Sequence, residues 1–243
     1  MTIIDAHCHF GKGDKLTDPA FSRASLKKYL RRAERFGIEK SAVWSLLHDD
    51  YVIANRQVAG LVRRLPERFF GVMFVNAERD KRRLEKMARE FIDKEGFRAI
   101  KLHRHDASIN RPVCELARGR GLPVVYDVMG HIEEIEIFAS EYPDVRFIVP
   151  HLGAFADRWQ VQMSFIQYLE RFPNVYTDTS GVRRFDILED AVKRGGAHKV
   201  IFGSDGPWLH PGVEMTKVTE LPISKTDRAK VLGENFLSLI GER

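Results

Sequence analysis

The chain has 243 residues, 44% of them hydrophobic and 30% charged, with a net charge of +5. This balance excludes disordered, collagenous and disulfide-stapled chains, and the length suits one α/β barrel. The positive charge is spread over helical stretches such as Lys27-Lys28 and Arg31-Arg32, with no basic run interleaved with aromatics, so a nucleic-acid partner is not expected. No apolar stretch is long enough to span a membrane, and no charged-then-apolar leader is visible. No membrane partner is therefore expected, and a cytoplasmic location is. Two cysteines, Cys8 and Cys114, offer no disulfide framework.

The first apolar run, Thr2–Phe10, reads as a strand. His7 and His9 stand at i and i+2 and share one side of it, while Cys8 faces the other side and reads as packing. A helical stretch, Phe21–Phe36, is closed by Gly37. Strands follow at Ser41–Leu47 and Phe69–Asn76, then a helix over Asp80–Glu95 that stops at Gly96. Arg98–His103 is the fourth strand, Pro112–Arg120 the next helix, and Leu122–Met129 the fifth strand. Val145–Leu152, Val175–Ser180 and Val200–Ser204 complete eight, and a last helix over Lys225–Ile240 opens with the capping pattern Ser224…Asp227.

Eight short runs rich in Val, Ile and Phe, alternating with helices, predict an α/β protein: a (β/α)8 TIM barrel forming a single domain over residues 1–243. A doubly wound open sheet is the alternative. It would gather polar residues at one switch point, whereas here they follow strands along the whole chain.

The C-terminal strand ends of a barrel face its active site. In chain order they carry His7 and His9, then His48, Asp49 and Asp50, then Lys101 and His103 with Arg104, His105 and Asp106. Asp127 with His131, then His151, Asp178, and Asp205 with Trp208 complete the set. Two neutral imidazoles and one or two carboxylates would hold a divalent ion with an open position, zinc first and manganese as the alternative. Such an ion lowers the pKa of bound water towards roughly 7 and polarises a carbonyl. Asp205 would take the water's proton and His151 would stabilise the developing oxyanion. That suits hydrolysis of an amide or lactone, and the same site supports non-oxidative decarboxylation.

Asp5-Ala6-His7-Cys8-His9, His151-Leu152-Gly153 and Phe202-Gly203-Ser204-Asp205 resemble the amidohydrolase superfamily. The resemblance is nearest to the branch that holds the aminocarboxymuconate-semialdehyde decarboxylases and metal-dependent TIM-barrel hydrolases. It extends through Ala99–His103, Gly121–Val124, Asn174–Ser180 and Val231–Phe236. It implies His7 and His9 as metal ligands, Asp205 as ligand and proton carrier, and His151 as the group that polarises substrate or acts as acid or base. Where the family has a strand-five histidine ligand, this chain has Asp127, in Pro123-Val124-Val125-Tyr126-Asp127. Asp127 is therefore the expected substitute ligand, with a metal-free lactonase, or transfer of the role to His131 or His103, as alternatives.

His103, Arg104, Lys101 and Trp208 are the expected substrate contacts, with His210 as a further wall. Arg104, Arg183 and Arg184 favour a carboxylate-bearing substrate. Lys101 has a second reading as a carbamylated bridge between two ions, and a lysine paired with a nearby carboxylate is the plainer one. Asp178 is expected to hold a ligand from behind, and His131 to cap a helix. His48, His105 and His198 are expected outside the site. The expected function is a metal-dependent hydrolase of a small anionic amide or lactone. A decarboxylase, a metal-free lactonase and a catalytically retired ligand-binding barrel are the alternatives. A barrel nuclease that opens with His-Cys-His is disfavoured, because no glutamate ends strand four. A homodimer is left open.

Overall fold

The computed structural model describes residues 1–13 and 23–242. Eight parallel strands hydrogen-bond in chain order: β1 Ile3–His9, β2 Ile38–Trp44, β3 Phe69–Phe74, β4 Ala99–His103, β5 Val124–Asp127, β6 Phe147–Val149, β7 Val175–Asp178 and β8 Val200–Ile201. β3 is buried at every position, as a strand covered on both faces must be. Between the strands lie α1 Leu26–Arg35, α2 Tyr51–Arg64, α3 Leu84–Ala88, α4 Arg111–Arg120, α5 Glu133–Glu141, α6 Trp159–Arg171 and α7 Phe185–Gly195. α3 runs on into a π-helical turn, Arg89–Lys94. After β8 come α8 Pro211–Thr219 and α9 Lys225–Ala229, which continues through a wider turn into α10 Asn235–Leu239. This is the expected (β/α)8 barrel. None of its described helices is long and apolar enough to cross a membrane.

Local chemistry sets the helix ends. The Asp50 side chain accepts from Val52 N–H at the start of α2, and Asn110 from Val113 N–H at the start of α4. Gly121 closes α4 at φ 61°, a left-handed position that glycine takes without strain. Ser224 Oγ accepts from Asp227 N–H at 3.0 Å, so the expected cap of the last helix is present. The first helix starts at Leu26, and Phe21, where it was expected to start, lies outside the described residues.

The barrel closes between β1 and the segment after β8 by isolated bonds. Ala6 N–H donates to Phe202 O at 2.9 Å and His9 N–H to Gly206 O at 2.7 Å. The eighth strand is shorter than the expected Val200–Ser204. Gly203 N–H donates to Thr179 Oγ1 at 3.3 Å and Ser204 N–H to Asp5 Oδ1 at 2.8 Å, so side chains take the place of the ladder. Asp5 is fully buried and also accepts from Tyr29 OH at 2.6 Å and from Ser204 Oγ. Burial pushes its carboxyl up to about 6 despite these donors.

The sixth strand also ends early, at Val149 rather than Leu152. Pro150–Gly153 form a tight turn in which His151 and Leu152 take φ of 61° and 53°. Two consecutive non-glycine residues in the left-handed region are strained, and the turn swings the His151 ring inward.

Candidate active site

Nδ1 of His7 lies 2.8 Å from Asp178 Oδ2, across the barrel on β7. A carboxylate there takes the Nδ1–H and leaves the Nε2 lone pair facing the barrel mouth. That Nε2 is 3.2 Å from Nε2 of His9 and 3.4 Å from Asp205 Oδ1. His9 Nε2 is 3.0 Å from the same Asp205 oxygen, and its Nδ1 is 3.4 Å from Ser45 O. Burial lowers the pKa of His7 against the pull of Asp178 and Asp205, which keeps the ring neutral. Burial opposes ionisation of Asp205, but His9, His7 and His151 outweigh it and hold the carboxyl below its usual range.

Two imidazole lone pairs and a carboxylate oxygen thus converge in a triangle with edges of 3.2, 3.4 and 3.0 Å. Donors bonded at ~2.0–2.2 Å to one ion stand about 3.0–3.4 Å apart, so the triangle fits a divalent cation. Three protein donors leave coordination positions open, the pattern of catalytic rather than structural sites. Close approach behind the triangle needs Gly203. A Cβ there would lie 2.9 Å from His7 Cβ and 3.2 Å from Asp178 Cβ.

Asp178 is the hub behind the site. Its Oδ1 accepts from Ser180 Oγ at 2.6 Å, Ser180 N–H at 3.0 Å and His151 N–H at 3.2 Å. Burial opposes its ionisation, but His7, His151 and Ser180 hold it charged. His151 Nδ1 is 2.8 Å from Ser180 O, which turns Nε2 towards the cavity. Burial would lower the His151 pKa, yet Asp178, Asp127 and Asp205 together raise it.

Asp127 stands apart from the triangle. Among the described residues the groups of three ligand atoms within mutual reach are His7, His9, Asp205 and His7, His151, Asp178. Asp127 Oδ2 instead lies 3.4 Å from His103 Nε2 and 3.7 Å from His151 Nε2, and its Oδ1 accepts from Met129 N–H at 2.9 Å. The cause is register. Asp127 pairs with His103 across β4 and β5, at the edge of the imidazole cluster. Burial lowers the His103 pKa to about 4, so this ring is neutral at pH 7.

The triangle floors a cavity of about 550 Å³. Lys101, His103, Asp127, His151 and Trp208 line it, and the Trp208 ring is 4.8 Å from that of His9. Arg104 does not line it, because its Nε donates to Glu134 Oε1 at 2.7 Å. Arg183 pairs with Asp157, and Arg184 pairs with Asp186 while lying over the Trp159 ring. His210 caps α8, its Nδ1 accepting from Gly212 N–H, and so is turned away from the cavity. His131 is exposed beside Glu133, and the His48 side chain accepts from Asp50 N–H. Sequence reading missed Leu46, Leu47, Phe74, Met129, Phe155, Arg158 and Leu209, which wall the cavity. Most follow strand ends, and that position was their available signal.

A (β/α)8 barrel with imidazoles and carboxylates gathered at the C-terminal mouth of its strands is the architecture of a barrel enzyme. The chain belongs to the amidohydrolase family, whose model matches residues 4–235. It is an enzyme of the amidohydrolase superfamily. Its fold matches an amidohydrolase from Burkholderia multivorans with bound HEPES, at TM-score 0.83 and 15% identity over 100% of both chains. It matches a dihydroxybenzoic acid decarboxylase from Polaromonas sp. JS666 with bound manganese and the inhibitor 2-nitroresorcinol, at TM-score 0.74 and 17% identity over 99% of this chain and 97% of that one. A putative 2-pyrone-4,6-dicarboxylic acid hydrolase from Pseudomonas putida matches at TM-score 0.73 and 18% identity, over 99% and 97%. No curated protein matches.

Proposed function

We propose that this barrel is a metal-dependent hydrolase of a small carboxylate-bearing amide or lactone, with its ion at His7, His9 and Asp205. The observation that carries this reading is the triangle of two Nε2 atoms and one carboxylate oxygen at 3.0–3.4 Å. A divalent ion, zinc or manganese, would supply Lewis acidity there and activate water. Asp205 accepts the proton of the attacking water and returns it to the leaving group. His151, whose pKa is raised by the carboxylates around it, donates to the oxygen that gains charge. Asp178 holds both histidines in register for these steps.

Non-oxidative decarboxylation on the same residues is the second reading. It is favoured by the decarboxylase with bound manganese among the matching structures. Here His151 would deliver the proton that replaces carbon dioxide.

The deciding experiment has two parts. Elemental mass spectrometry on wild type and His9→Ala should find about one divalent ion per chain in the first and none in the second. A panel of lactones, amides and carboxylic acids is then assayed for acid release and for carbon dioxide. Metal retention in His9→Ala, or metal-independent turnover, rejects the reading.

A further inference from the structure

Lys101 enters the cavity two residues before His103 on the same face of β4, and no step above uses it. Its side chain is 1% exposed, and its Nζ has no hydrogen-bond partner among the described residues. Nζ lies over the Trp44 ring, 5.2 Å from its centroid. A buried ammonium without an acceptor is costly, and native proteins rarely leave one so unless a ligand completes it. Asp127, Asp178 and Asp205 act on Lys101 through space, and none accepts from it.

An ammonium carries three donors and no acceptor, so the partner that Nζ lacks is an acceptor, and an anion is the strongest one. Burial lowers the Lys101 pKa against the pull of Asp127, Asp178 and Asp205, and an anion beside Nζ would favour its charged form. Lys101 faces a cavity walled by Phe74, Phe155 and Trp208, and Arg158, the other cation that lines it, is exposed and donates to Met129 O. The arginines expected to take an anion are engaged elsewhere, Arg104 with Glu134, Arg183 with Asp157 and Arg184 with Asp186.

We propose that the Lys101 ammonium is the anchor for the substrate's carboxylate, so that it sets selectivity for an anion over its uncharged isostere. This rests on the active-site reading of the same cavity. The anion's oxygens supply the acceptors that Nζ lacks, and the body of the substrate lies against the apolar walls.

Benzoate and benzamide, alike in shape and different in charge, are the probes. Their binding is titrated calorimetrically to wild type, Lys101→Met and Lys101→Gln, on protein whose metal content is measured in parallel. Wild type should prefer benzoate at least tenfold. Both variants should lose most of that preference, while benzamide affinity stays within about twofold and Lys101→Met melts no lower than wild type. A preference that survives both substitutions, or is missing from wild type, overturns the assignment. So does an intact mass increased by one carbon dioxide on Lys101, because a carbamate there is itself an anion. Protein without metal rejects the metal-dependent reading alone, and the benzoate-to-benzamide ratio still judges Lys101.

Discussion

His7 and Asp178 stand 171 residues apart in the chain and meet across the barrel at 2.8 Å, Nδ1 to Oδ2. The carboxylate fixes the tautomer that turns the other nitrogen of His7 towards His9 and Asp205. Asp178→Asn keeps the shape and removes the charge. It should weaken divalent metal binding about 10–100-fold while circular dichroism is unchanged. Titration of zinc or manganese against a competing chelator measures this, and unaltered affinity would remove Asp178 from its supporting role.

The crowded donors of the triangle should make folding respond to metal. Zinc or manganese at about 100 times its Kd adds about 2.7 kcal/mol to the stability of a protein that binds it only when folded. For a domain of this size that raises Tm by roughly 5–10 °C. Scanning calorimetry should show the rise in wild type and none in His9→Ala or Asp205→Ala. An equal rise in all three would place the ion elsewhere.

His103 gives a pH signature. Its folded pKa of about 4 lies below the ordinary histidine value of 6.5. The folded state therefore binds fewer protons than the unfolded one between those values. The contribution is fully present above pH 6.5 and is lost as pH falls to 4. With the side chain 22% exposed, the loss is about 1–3 kcal/mol after solvent screening. Urea unfolding from pH 7 to 4 should show a steeper loss in wild type than in His103→Gln. Asp5, whose raised pKa works in the opposite direction, is common to both proteins and cancels. Parallel curves would show that His103 titrates normally.

Tyr29 tests the seam. Its hydroxyl is 2.6 Å from both Asp5 Oδ2 and Ser41 Oγ, fully buried. Tyr29→Phe leaves both short of a partner and should cost about 1–3 kcal/mol in equilibrium unfolding. A change below about 0.5 kcal/mol would mean that the neighbours rearrange to satisfy one another.

The barrel was legible because its strands are short, apolar and spaced by amphipathic stretches, and the i, i+2 placement of His7 and His9 gave their convergence directly. The ends of the sixth and eighth strands were not legible. At Pro150 and Ser204 the backbone leaves the ladder for side-chain partners that only tertiary contact supplies. The position of Asp127 was hidden for a similar reason. A motif gives its place on the strand, while register against His103 decides which imidazoles it meets. The place of Arg104 after strand four predicts a substrate contact, because Glu134, 30 residues on, is invisible as its partner until α5 packs beside it. Apart from Phe74 at the end of β3, the cavity's apolar wall comes from loop residues that carry no periodic signal.

Asp5 and Ser204 are 199 positions apart and meet at the seam where the barrel closes. The donor triangle straddles that same seam, with two members on the first strand and one just after the last. An ion seated there ties the two ends of the fold into a ring much as a long-range cross-link would, and the chain-closure entropy it offsets grows only slowly with the length enclosed. Opening of the barrel between its first and last strands would then have to release the ion first. Catalytic readiness and resistance to unfolding from the chain ends would rise and fall with one occupancy.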